Sequence, residues 1–268
     1  MKIIKPYHEI LSITPNALEL IELAYRNCYK SEDKIEPGSA EKLILNCMKL
    51  NHTSPLEHAS VTVRFVCDRG ISHEIVRHRL ASYSQESSRY CNYSKDKFDN
   101  QITVILPIGF DERLADTEYP YGFINSMDFN VYQSITETEQ EDWLLACEYA
   151  EARYFSMIKR GTKPEIARSV LPNSLKTEVV MTCNLREWKH VFRMRCQKAA
   201  HPQIRELMLP LLKELHEKIP VVFDNEFEMF IEKTSCSQCT HWNEGYGKDD
   251  ICGCLGCPQN CDNYTMAD

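Results

Sequence analysis

Between positions 77 and 89 the chain reads Arg77-His78-Arg79-Leu80-Ala81-Ser82-Tyr83-Ser84-Gln85-Glu86-Ser87-Ser88-Arg89, with three arginines, one histidine and four serines in thirteen residues. Each guanidinium is a planar fork of donors that matches phosphate or carboxylate oxygens. A charge run is usually a solvated face, but here hydroxyls alternate with the charges and supply donors that solvation does not need. Ile71, Ile75, Val76, Leu80 and Tyr83 flank or interleave the cations and read as core residues. The fold must therefore anchor this segment and turn it toward an anion.

The rest of the composition sharpens the point. The 268 residues carry a net charge of −8, so the positive charge is concentrated locally. That balance argues against non-specific binding to nucleic acid. A hydrophobic fraction of 43% suffices for a proper core in one large domain, with or without a small module. No apolar run is long enough for a bilayer, and Met1-Lys2-Ile3-Ile4-Lys5-Pro6 lacks the apolar stretch of a signal peptide. The expectation is a cytoplasmic chain with no membrane partner, whose 13 cysteines are reduced thiols or metal ligands.

Periodicity outlines the elements. Thr14-Pro15 reads as a helix start, followed by Leu18, Ile21, Ala24 and Tyr25 at helical spacing. A second helix is predicted over Ala40 to Leu50, and Ser54-Pro55-Leu56-Glu57 is another cap-and-proline start. Val61, Val63 and Phe65 alternate as a strand, Asp68-Arg69-Gly70 reads as a turn, and a helix from about Ile71 to Leu80 carries the arginines at its end. Ile102 to Leu106 reads as a strand. Between Phe110 and Thr138 periodicity fades into an apparent insertion. A helix from Trp143 to Arg160 ends at Gly161, and Pro164 starts a short helix holding Arg168. Glu178 to Thr182 fits a strand, Asn184 caps the next helix, and a last helix spans Pro202 to Lys218 with Pro210 inside. Strands and helices mix without regular alternation, which predicts an α+β fold: a mixed sheet with packed helices over residues 1–230, then a Cys-rich module over 231–268.

Two familiar motifs fail. The histidines of His73-Glu74-Ile75-Val76-Arg77-His78 are five apart, so they diverge on a helix and do not form a zincin site. Neither a Gly-x-Gly-x-x-Gly nor a Walker loop occurs. Cys91, close to Arg89, is the nearest thiol to the motif and reads better as a small core residue than as a nucleophile.

Arg-His-Arg, seven residues, then Ser, here Arg77-His78-Arg79 and Ser87, resembles the signature of the flavin-dependent thymidylate synthases. Asn51 to His58 is similar to the family's upstream element, Ala167 to Pro172 to its downstream one, and Asn184-Leu185-Arg186 through Arg195 to its last. The resemblance runs from the N-terminus to about residue 225. It implies reductive methylation of dUMP to dTMP, with methylenetetrahydrofolate as carbon donor, NADPH as reductant and FAD as hydride carrier. It implies no enzyme nucleophile, so that the protein contributes binding, orientation and electrostatics. It also implies a homotetramer with active sites between subunits.

By the same resemblance, His52, Ser54, Arg77, His78, Arg79, Gln85, Asn184, Arg186 and His190 are flavin-side residues. Arg77, Gln85, Glu86, Ser87, Ser88, Arg89 and Arg168 fall on the nucleotide side. Arg195 is the catalytic candidate, a cation beside the uracil that raises electron density at carbon 5. Glu74 departs from the pattern, standing where many relatives carry glutamine. The rival class is a nucleotide- or nucleic-acid-binding regulator that keeps the arginine pocket.

Six cysteines fall between Cys236 and Cys261. Cys236-x-x-Cys239 and Cys254-x-x-Cys257 have the form of two zinc-ribbon knuckles, with Cys252, Cys261 and His241 as alternative ligands. An iron–sulfur cluster on Cys252, Cys254, Cys257 and Cys261, or a reduced tail without metal, are the alternatives.

Overall fold

The structure is a computed structural model and describes residues 1–117 and 138–231. The central part of the apparent insertion and the whole Cys-rich segment lie outside the described residues. Two compact units emerge. Of the described residues, the first gathers those within Met1–Ile13, Val61–Cys183 and Pro202–Leu207; the second gathers those within Thr14–Ser60 and Asn184–His201 and residues 208–231.

The first unit is built on a four-stranded sheet of order β2-β3-β6-β4, with β2 at Tyr7–Ile13, β3 at Ser60–Asp68, β4 at Ala81–Gln85 and β6 at Lys176–Asn184. β2 pairs antiparallel with β3, with a bulge between Ile10 and Ser12, and β4 pairs antiparallel with β6. Alternation decides which face is covered: Val61, Val63 and Phe65 of β3 and Val179 and Met181 of β6 are buried, while Thr62 and Thr182 bond each other at 2.9 Å on the other face. A parallel pair, β1 (Lys2–Ile4) with β5 (Thr103–Ile105), stands apart. Met1, Ile3, Ile102 and Val104 pack there with Tyr154 and Cys147 of α4 (Glu139–Lys159). Glu151 of α4 is buried among them. One of its oxygens accepts from the Ile102 N–H at 2.9 Å, and the other lies 3.2 Å from the Met1 amino group. Burial raises the Glu151 carboxyl pKa, and these two partners offset part of the rise.

The second unit is helical. It contains α1 (Ala17–Tyr29), α2 (Ser39–Lys49), a 3-10 turn at Ser54–His58, α6 (Leu185–Arg195) and α8 (Asp224–Phe230). α7 (Pro202–Lys218) carries Pro210 in its interior. Ile21 and Tyr25 of α1, Ile44 of α2, Leu56, Trp188 and Phe192 of α6, and Phe223 are buried, and the Phe192 and Phe223 rings meet edge-on at 5.5 Å. Glu22, 2% exposed, is compensated by Arg26 at 2.8 Å and the Ser39 hydroxyl at 2.6 Å.

Most predicted elements are present, but several boundaries differ; α4, for example, begins at Glu139 and not at Trp143. α1 starts at Ala17, with Asn16 in the left-handed region as its cap residue, because the Thr14 hydroxyl is taken by the backbone of Ser60 at 2.9 Å. Asp68-Arg69-Gly70 is a helix start instead of a turn: the Asp68 carboxylate accepts from the Ile71 N–H at 2.6 Å and opens α3 (Arg69–Ile75). Gly70 allows a close approach, since a Cβ there would lie 2.6 Å from the Asn173 amide nitrogen. Finally, α3 stops at Ile75, five residues before Leu80.

Candidate active site

That early stop places Arg77, His78 and Arg79 in an open turn between α3 and β4, not on a helix. His78 is buried, whereas Arg77 and Arg79 are exposed. Val76 and Leu80, expected in the core, are 36% and 74% exposed. With no helix continuing past Ile75, their apolar spacing faces nothing. Ile71 and Ile75 are buried as expected.

β4 then carries the serine-rich stretch along the sheet. Its side chains alternate, leaving Ser82 and Ser84 exposed and Tyr83 and Gln85 half-buried. The Gln85 amide donates to the Ser72 hydroxyl at 3.0 Å and to the Thr177 hydroxyl at 3.3 Å, so its nitrogen serves the scaffold. The Glu86 N–H extends the ladder to the Glu178 carbonyl, and Ser87 opens a tight turn in which its carbonyl accepts from the N–H groups of Tyr90 and Cys91. Ser88 is buried and its hydroxyl accepts from Arg168 at 3.0 Å. Arg168 sits at the start of the 3-10 turn Arg168–Val170, directly after α5 (Pro164–Ala167). Ser87, Ser88, Arg89 and Arg168 are thus gathered around one turn, as an oxyanion site requires.

Glu86, expected on the nucleotide side, commits one carboxylate oxygen to the first unit's own lysine. Its carboxylate binds the Lys176 ammonium at 3.0 Å, and Lys176 also holds Glu178 at 2.5 Å. Burial alone would depress the Lys176 pKa, but the Glu178 hydrogen bond and the field of Glu86 outweigh it and leave the pKa raised. The lysine therefore stays charged between the two carboxylates. Cys91 is half-buried, and burial together with Glu86 pushes its thiol pKa up. A protonated thiol is a poor nucleophile, and Cys91 packs against the core of the first unit.

The second unit carries the remaining site candidates. His52 and Ser54 are exposed at the 3-10 turn, and the His52 carbonyl accepts from the Tyr25 hydroxyl. Asn184 caps α6, its side-chain oxygen accepting from the Glu187 N–H at 2.8 Å. Arg186 pairs with Glu57 at 2.5 Å, and the Leu185 N–H donates to the Ala59 carbonyl, tying α6 to the 3-10 turn. His190 is exposed and Arg195 is half-buried in the last turn of α6. Burial raises the Glu187 carboxyl pKa, with His190 offsetting part of the rise.

Sequence reasoning missed the group that holds this helix. Glu226 of α8 is fully buried and accepts from Lys189 at 2.6 Å and from Arg193 at 2.8 Å, while Lys189 also donates to the Val222 carbonyl at 2.6 Å. Burial lowers the Lys189 pKa, and Glu226 opposes that shift. The one local signal was Lys189 and Arg193 four apart on one face; their partner comes from a short helix the periodicity did not reveal. The metal candidates Cys236, Cys239, Cys254 and Cys257, with residues 118–137, lie outside the described residues.

Comparison with known proteins gives the family. Residues 9–221 match the family model described as thymidylate synthase complementing protein. The chain is 34% identical over 216 residues to a flavin-dependent thymidylate synthase of Mycobacterium sp. (strain JLS), covering 79% of this chain and 80% of the relative. It is 31% identical over 221 residues to the flavin-dependent thymidylate synthase of Geobacter sulfurreducens, covering 80% and 84%. In fold it is similar to the thymidylate synthase ThyX of Helicobacter pylori with FAD and dUMP, at TM-score 0.62 and 20% identity over 83% of this chain and 99% of that one. It is equally similar to the UMP/dUMP methylase PolB of Streptomyces cacaoi bound with 5-Br dUMP, at TM-score 0.62 and 23% identity over 86% and 98%. With the family model matched over residues 9–221 and relatives above 30% identity along most of their length, the chain belongs to the flavin-dependent thymidylate synthase family.

Proposed function

We propose that this chain binds FAD and dUMP and methylates dUMP to dTMP, taking the one-carbon unit from methylenetetrahydrofolate and reducing equivalents from NADPH. One observation carries the reading. Arg77, Arg79 and Arg89 are exposed and have no carboxylate partner among the described residues, in a chain of net charge −8. Uncompensated guanidinium groups on turns fit phosphate-bearing ligands, and FAD and dUMP both carry phosphate. When bound, FAD supplies hydride chemistry that no side chain provides.

The residues divide the work. Ser87, Ser88, Arg89 and Arg168 hold the nucleotide phosphate. Arg77, His78 and Arg79, with His52, Ser54, Asn184, Arg186 and His190, serve the flavin. Arg195 lies beside the uracil, where its charge favours the ionised base and enriches carbon 5. Because Arg186 pairs with Glu57, its flavin contact uses the donors left over. The active form is a homotetramer, and the site is completed between subunits. Cys28, Cys47, Cys67, Cys91 and Cys147 are free thiols, which fits a cytoplasmic, reducing setting.

Purified protein should be yellow, bleach on adding NADPH, and convert dUMP to dTMP only with the folate present. Colourless protein that takes up no FAD on reconstitution would instead favour a nucleotide-binding regulator.

The tail adds a metal site on this reading, with Cys236, Cys239, Cys254 and Cys257 holding a structural zinc. The support is the pair of Cys-x-x-Cys knuckles. Metal analysis after anaerobic purification checks it. About one zinc per chain is expected; iron with labile sulfide supports a cluster instead, and less than about half an equivalent of either metal excludes both.

A further inference from the structure

The turn bearing Arg77, His78 and Arg79 belongs to neither a helix nor a ladder, because α3 ends at Ile75 and β4 begins at Ala81. Carbonyl groups at a helix end have no partner within the helix, and a five-residue connection does not set its own course. The backbone bond from His78 N–H to the Ile75 carbonyl is long, at 3.3 Å. The phenol of Tyr83 supplies a second tie. Its oxygen lies 2.6 Å from the His78 carbonyl oxygen and 2.9 Å from that of Ile75. A phenol has one proton, so it donates to one carbonyl at a time, and the shorter distance favours His78.

Tyr83 is itself well held. It sits in register opposite Met181 on β6, and Gln85, two residues on and on the same side of the strand, bonds Ser72 of α3 at 3.0 Å. One strand face therefore stitches α3 to the sheet at Ser72 and reaches beyond its end to the central residue of the arginine turn.

We propose that Tyr83 is a positioning residue. Its hydroxyl fixes the backbone of the Arg77–Arg79 turn and so sets the direction from which the two guanidinium groups meet the flavin. The flavin half of this inference rests on the proposed function. The hydroxyl can be separated from the ring, because Tyr83→Phe keeps the packing and removes only the donor.

The test compares wild type and Tyr83→Phe in two assays. In flavin-free protein, amide hydrogen exchange over residues 77–80 should quicken about fivefold, the scale expected for one lost hydrogen bond. The FAD dissociation constant, from quenching of flavin fluorescence, should rise about tenfold. Loss of packing alone would not move flavin affinity well below the melting temperature. Unchanged exchange overturns the clamp, and faster exchange with FAD affinity within about twofold of wild type overturns its role toward the flavin. A wild-type chain that takes up no FAD sinks the proposed function and the flavin half of the inference, while the exchange comparison still decides the clamp.

Discussion

Arg168 donates to the Ser88 hydroxyl at 3.0 Å across eighty positions of sequence, joining the 3-10 turn after α5 to the turn after β4. This bond aims an arginine at the proposed phosphate subsite. Arg168→Ala should weaken dUMP binding more than about tenfold, since a charge-assisted contact is lost. Ser88→Ala should weaken it about threefold to tenfold by freeing the arginine. Calorimetric titration of dUMP into flavin-loaded protein measures both. Unchanged affinity in Arg168→Ala would remove it from the subsite.

The proposed role of Arg195 is to polarise the uracil, not to anchor the flavin. Arg195→Ala should lower kcat about a hundredfold or more while leaving bound FAD near wild type. Arg195→Lys should recover only part, because an ammonium lacks the planar fork. Turnover assays alongside flavin absorbance separate the two roles. A parallel loss of both would make Arg195 a flavin residue.

Glu226 compensates two cations from inside the second unit. Glu226→Ala leaves the Lys189 ammonium buried without its carboxylate and should cost about 3–5 kcal/mol of stability. Glu226→Leu combined with Lys189→Met removes both charges and should recover most of the loss. Urea denaturation followed by far-UV circular dichroism reads the difference. A double variant no more stable than Glu226→Ala contradicts the pairing.

Buried thiols set an alkaline limit. Burial pushes Cys67 up to about 12 and Cys147 up to about 11, from an ordinary value of 9.0. Between those values the folded chain holds protons that the unfolded chain has released, so stability falls as pH rises. The contribution is complete below pH 9 and is lost as pH climbs through 11 to 12. The melting temperature should decline over that range and decline less steeply in Cys67→Ala. At pH 8, a thiol reagent should modify exposed Cys28 quickly and reach Cys67 and Cys147 only on unfolding.

Local chemistry was legible in the sequence and long-range pairing was not. The Asn184 cap, the start of α7 at Pro202 and the alternation of β3 depend on neighbours in the chain, and each is found where the pattern puts it. The Arg-His-Arg and serine residues were equally visible as a motif. Their backbone setting does not follow from the pattern, because Val76 and Leu80, four apart, mimic helical spacing after the helix has already ended. β2 and β4 escaped because Glu9 and the exposed serines of β4 follow no apolar alternation; their pairing with β3 and β6 supplies what their own residues do not. The ion pair of Glu86 is invisible locally, because its partner Lys176 lies ninety positions on. Glu226 had no signal at all, since its meaning comes only from Lys189 and Arg193.

The distance between those partners also sets an order of events during synthesis. Lys189 leaves the ribosome 37 residues before Glu226, and its other acceptor, the Val222 carbonyl, is almost as late. Until that stretch emerges, α6 can bury its lysine only as a bare cation, so the nascent helix keeps this face in water. The helical unit closes last, when nearly all of the described chain has been made, and a chain truncated before Glu226 is left open on the face that α8 would seal.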